Sequence, residues 1–220
     1  MGSLKTLEGT CEMSSPCSGR RATILGIGKA VPVHIYEQKS FPDYYFDITN
    51  SNHLVNLKAK FANICEKTAT EKRHMYVSDE WLRSNPSVTA YMSTSLTLRQ
   101  QVAEEGIPRL GAEAARNAIE DLGKQASDIT HLVVATTSTG CLPSADCILI
   151  KLLGLRPSTK SVMLYQAGCF GGTTALRVSK DIAEQPQRQG PRRDLRGDVL
   201  SAAWPFGDSH RQPRWASRLR

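Results

Sequence analysis

The sequence predicts an α/β architecture, with helices covering a largely buried sheet. Three observations lead there. Ile129 to Ala135 (ITHLVVA) is apolar and β-branched with no polar alternation, the pattern of a strand buried on both faces. A second apolar run, Val162 to Gln166 (VMLYQ), leads straight into a glycine-rich turn and then a helical segment. Segments of helical period separate these runs, giving the order β-α-α-α-β-α-β-α.

Element by element, Ala22 to Ile27 (ATILGI) reads as a short buried strand, and Phe41 to Ile48 suits a short helix. Leu54, Leu57, Phe61 and Ile64 recur at helical spacing, so 53–67 is an amphipathic helix with Lys58, Lys60 and Lys67 on its polar side. Asp79 to Ser84 is a shorter helix, capped by Ser78 and ended by Asn85-Pro86. Leu96 to Leu122 is helical but is expected to break near Gly106-Ile107-Pro108, with Leu110, Ala114, Ala118 and Leu122 on one face of its second half and Gly123 at its end. Asp146 to Leu153 is a helix closed by Gly154, and Thr173 to Glu184 is another.

Composition removes several function classes. No apolar run approaches the length of a bilayer span. Met1 to Arg20 has no apolar h-region and is rich in Ser, Gly and Thr, so it reads as a disordered tail rather than a secretory signal. The cytoplasm, where thiols stay reduced, is therefore the expected compartment. The cysteines at 11, 17, 65, 141, 147 and 169 include no C-x-x-C pair, so no metal site is expected. The net charge of +7 is concentrated at one end. Residues 185–220 hold eight Arg against three Asp, while the other 184 residues balance 20 basic against 18 acidic side chains. Those Arg residues lie on no amphipathic helix and have no regular aromatic interleaving, so no nucleic-acid partner is expected.

Cys169 is the candidate nucleophile. A strand leads into it, a helix leads out, and Gly168, Gly171 and Gly172 let the backbone turn sharply and approach a substrate closely. A thiol at a helix N-terminus has backbone N–H groups and the helix dipole to favour its thiolate. The same N–H groups could hold a tetrahedral oxyanion. On local pattern alone a small buried cysteine fits as well.

Longer segments carry more. FPDYYFDITNSNH (41–53), LGAEAARNAI (110–119), DITHLVVATTS (128–138), LLGLRPSTKSVMLYQAGCFGG (152–172) and RVSKDIAE (177–184) resemble plant type III polyketide synthases of the chalcone synthase-like family. The resemblance runs from about Arg21 to Glu184. It implies a thiolase-like layered fold, here its N-terminal half, in a homodimer with no cofactor. The implied activity is that of an acyltransferase: malonyl-CoA units are condensed, with decarboxylation, onto a starter acyl-CoA held as a thioester on Cys169. Lys60 and Lys67 match residues that contact the CoA phosphates, and Asn63 stands where the family typically has Arg. Thr137 and Ser138 match residues near the starter pocket. Leu142, before Pro143, matches a Met that reaches into the partner subunit's cavity.

After Glu184 the character changes. The family pattern continues with a strongly apolar strand, but QPQRQGPRRDLRGD has neither strand nor helix period. Permissible codons for Gln185 to Leu195, read one nucleotide later, give NRSARVLVVI, close to that pattern. Residues 185–220 are therefore expected to be an aberrant Arg/Pro-rich tail from a frameshift, a mis-spliced intron or a gene-model error. The family's catalytic His and Asn belong to its second half, and His34, His53, His74, His131 and His210 match neither position. The chain alone is expected to be inactive, and a non-catalytic truncated relative is the alternative reading.

Overall fold

The computed structural model describes residues 21–90, 92–137, 142–184 and 198–203. Seven helices and five strands are assigned among them. They run β1 (His34–Glu37), α1 (Phe41–Ile48), α2 (Val55–Lys67), β2 (Lys72–Met75), α3 (Asp79–Ser84), α4 (Pro86–Thr89), α5 (Leu96–Leu122), β3 (Ile129–Thr136), α6 (Ala145–Leu153), β4 (Lys160–Tyr165), α7 (Gly171–Glu184) and β5 (Asp198–Ala203). The expected tail at 1–20 and most of the segment 185–220 lie outside the described residues.

A three-stranded parallel sheet in the order β4-β3-β5 forms the centre. Side chains alternate across β3, as strand geometry requires. Leu132 and Val134 face a core built with Ala112 and Ala115 of α5, Leu149 and Leu153 of α6, and Leu200. Val133 and Ala135 face the other way, against Ala175, Val178 and Ile182 of α7. All four β3 residues are fully buried. Helices thus cover both faces, which is why the strand is apolar without alternation.

A second core is aromatic. Phe41 and Phe46 of α1, Phe61 and Cys65 of α2, Met75, Val77, Leu82 and Val88 pack together. The rings of Phe41 and Phe61 meet edge to face at 6.1 Å, and the Arg73 guanidinium sits 4.3 Å from the Phe41 ring centre. The antiparallel ribbon β1–β2, which the sequence reading does not include, closes this layer.

Several expectations hold. Ser78 accepts a hydrogen bond from the Trp81 N–H at 3.1 Å and caps α3. Gly123 and Gly154 take left-handed conformations at the ends of α5 and α6. Others are corrected. Helix α5 is continuous through Pro108 for 27 residues. The Pro108 ring is fully buried, and a Cβ at Gly106 would meet the Tyr76 ring at 2.9 Å. Packing therefore holds the helix together where one rung is missing. On α2 the buried residues are Phe61 and Cys65, while Leu54 and Ile64 stay substantially exposed. Ala22 to Ile27 is not a buried strand: Ile24, Leu25 and Ile27 are more than half exposed and no ladder is assigned to them. The third place in the sheet goes instead to Asp198–Ala203, within the segment that the sequence reading sets apart. Its Val199 and Leu200 supply the alternation that the Arg-rich residues before them lack.

Candidate active site

The parallel register aligns Thr136 with Tyr165, so β3 and β4 end level on one edge of the sheet. The elbow leaves from that edge. Gln166 takes φ of 52°, and Gly168 takes 67° inside the 3₁₀ turn Gly168–Phe170. A glutamine in that region is strained, whereas a glycine is not. Cys169 emerges exposed in this turn, immediately before α7. Gly171 is buried below it. A Cβ there would lie 3.2 Å from the Ala167 Cβ and 3.6 Å from the Ala135 Cβ, so glycine lets α7 start against the end of β3. The Thr173 hydroxyl donates to the Phe170 carbonyl at 2.9 Å and ties the turn to the helix. Cys169 therefore sits on an ordered strand–turn–helix with its thiol open to solvent, at the carboxyl edge of a parallel sheet. That is where open α/β sheets place ligands.

The other sequence-based candidates divide. Thr137 follows β3 on the same edge as the elbow. Gly168 is in the turn itself. Leu142 is 97% exposed beside the cis Leu142–Pro143 bond. Ser138 and Cys141 lie outside the described residues. Lys60, Asn63 and Lys67 are exposed on α2, on the side away from Phe61 and Cys65. Among the described residues neither lysine forms an ion pair, so both charges are free for a ligand. Lys58 is engaged instead, 2.7 Å from Asp43 and donating to Asn52. Helix α2 belongs to the aromatic layer, apart from the sheet that carries the elbow.

No described histidine is hydrogen-bonded to Cys169. His131 pairs with Lys160 at the opposite end of β3, five residues from Thr136, which is about 16 Å along a strand. Burial, with Lys160 beside it, lowers its pKa. His74 Nδ1 lies 3.1 Å from the Pro32 carbonyl in the β2 layer. These contacts are structural.

One feature of the site region is absent from the sequence reading. Asp146, at the start of α6, is buried. Burial pushes its carboxyl up, but donors from Ser144, Ser161 and the N–H groups of Cys147 and Asp146 outweigh that and hold it below its ordinary value. The Ser144 hydroxyl turns to this carboxylate instead of capping the helix. Asp146 thus anchors the return of the chain from the Leu142 segment to the sheet. A Ser-x-Asp at a helix start reads as an ordinary cap, which conceals the role.

Among the described residues no cluster of His, Cys, Asp and Glu could hold a metal ion, and no helix is long and apolar enough to cross a membrane. An exposed cysteine on a glycine-shaped elbow, with free cations on a separate helix, suits transfer of an acyl group from an anionic carrier. Residues 10–193 match the family described as chalcone and stilbene synthases, N-terminal domain, beyond the Arg21–Glu184 span of the resemblance at both ends, and the chain belongs to that family.

Proposed function

We propose that the chain is the acyl-accepting half of a type III polyketide synthase with the thiolase-like layered fold. The observation that carries this is the exposed Cys169 at the carboxyl edge of the sheet and the N-terminus of α7. In the reaction its thiolate attacks the carbonyl of a starter acyl-CoA. The oxyanion draws on the N–H groups of the turn, and the C–S bond to CoA breaks. The acyl group stays on Cys169 as a thioester, and the CoA thiolate leaves and takes a proton from water. Lys60 and Lys67 attract the phosphates of the carrier, Thr137 stands near the starter acyl group, as the resemblance also implies for Ser138, and Leu142 reaches toward the cavity of the partner subunit. Decarboxylative condensation of malonyl-CoA needs a group to stabilise the enolate, and no described residue beside Cys169 supplies one. The chain alone therefore takes up acyl groups without extending them, and extension calls for the family's second half, in a homodimer.

Intact-mass measurement after incubation with a series of acyl-CoA thioesters tests this. The expected result is one acyl adduct, mapped to Cys169 rather than to the exposed Cys147, and lost in Cys169→Ala. No adduct from any thioester, with the protein folded by circular dichroism, would overturn the acyl-acceptor reading. Polyketide product from the 220-residue chain would overturn its confinement to acyl uptake.

A further inference from the structure

Between β4 and the Cys169 turn, the backbone changes hand at each residue. Gln166 has φ of 52°, Ala167 has φ of −66° and ψ of −8°, and Gly168 has φ of 67°. Alternation of this kind turns successive backbone N–H groups to one side of the chain, where they favour a negative charge. Two of the three residues take these values without strain. Ala167 is in the ordinary right-handed region, and Gly168 has no Cβ. Gln166 is the exception, since a residue with a side chain is held in the left-handed region only at a cost.

The Gln166 side chain does not offset that cost. It is exposed and makes no hydrogen bond to another described residue. The conformation is imposed from both sides instead. Tyr165, immediately before, is in register with Thr136 in the parallel ladder. After the turn, Gly171 is buried beside the Ala135 and Ala167 methyl groups, and Ala175, one helical turn on, is fully buried. Strand β4 and helix α7 are thus both seated on β3, and the residue between them cannot relax. Glycine at 166 would take the same backbone without strain. It would also open the mirror-image basins, leaving Gly-Ala-Gly as a hinge ahead of the nucleophile. A Cβ at 166 closes them.

We infer that Gln166 is a positioning residue for Cys169: its left-handed backbone, imposed by β4 and α7, sets the single orientation in which the turn presents the thiol. The role rests on the acyl-acceptor reading of Cys169. It is carried by the Cβ and the backbone of Gln166 rather than by its amide.

Wild type, Gln166→Gly, Gln166→Asn and Gln166→Val are compared in three measurements. These are thermal melts, the rate of iodoacetamide alkylation followed on the Cys169 peptide at neutral pH, and acyl adduct formation across a range of acyl-CoA concentrations. Gln166→Gly is expected to melt within a few degrees of wild type, because relief of strain offsets the greater freedom of glycine in the unfolded chain. Its alkylation and its saturating acylation rate nevertheless fall about threefold, because the turn is no longer confined. Gln166→Val, whose branched Cβ is least tolerant of the left-handed region, loses about tenfold in both. The half-saturating acyl-CoA concentration stays within about twofold throughout, since Lys60 and Lys67 stand on another layer. Gln166→Asn, which tolerates the conformation, restores both rates to near wild type. Should Gln166→Val not fold, Gln166→Gly and Gln166→Asn carry the comparison. Wild-type rates in Gln166→Gly, or losses in Gln166→Asn as large as those in Gln166→Gly, would overturn the proposal. Failure of the acyl-acceptor reading looks different: no thioester labels wild-type Cys169, while its alkylation still responds to residue 166.

Discussion

At the scale of single residues, the glycines and one carboxylate have the clearest consequences. Gly28 lies against helix backbone with no space for a side chain. Gly28→Ala must push the 21–33 segment off α5, and the expected loss is about 1–3 kcal/mol, read by urea denaturation. Asp146 gives a dependence on pH. Its folded-state pKa is lowered, so its contribution is fully present above the unfolded value near 4 and fades as pH falls through the folded value. Asp146→Asn should lower stability at neutral pH by ~1 kcal/mol, because the amide accepts fewer donated hydrogen bonds. It should also flatten the wild-type decline below about pH 4. Melting curves between pH 3 and 7 show both; parallel declines would place the acid sensitivity elsewhere.

At the scale of elements, α2 and β5 make separate predictions. Helix α2 carries an exposed row of Lys60, Asn63 and Lys67, spaced three and four residues apart. Asn63→Arg adds a third cation to that row. Binding of a CoA thioester by the chain should tighten severalfold, with a steeper salt dependence. Titration calorimetry at two ionic strengths measures it, and unchanged affinity would detach this face from the carrier. Strand β5 is held by its parallel ladder to β3 and by burial of Leu200 against the α5–α6 side of the core. Leu200→Ala should cost about 2–4 kcal/mol. A negligible cost would mean that Asp198–Ala203 does not stabilise the sheet.

At the scale of the whole molecule, the two cores hold the proposed carrier-binding lysines and the proposed nucleophile on separate layers. The aromatic layer carries the free lysines of α2, and the sheet carries Cys169. The elbow, moreover, is at one end of the sheet and His131 is at the other. His131→Gln should therefore leave the rate of acyl adduct formation within about twofold of wild type, since the ring is ~16 Å from the end of β3. A large loss would mean that His131 reaches the site in another arrangement.

The sequence by itself determined the α/β class, the strands around Ile129 and Val162, the left-handed glycine caps and the elbow at Cys169. Each follows from neighbours in the chain: β-branched runs, helical spacing and glycines at turns. The family match fits that reading. Only the tertiary structure decided the rest. ATILGI has every local property of a buried strand, yet a strand is buried only where a ladder and a second layer receive it, and the place beside β3 went to Asp198–Ala203. Pro108 should end a helix, but its burial holds α5 continuous. The β1–β2 ribbon joins residues some forty positions apart, and the hydroxyls around Asp146 come from both sides of the α6–β4 connection. In each case the deciding energy comes from contacts between distant segments, which no local pattern contains.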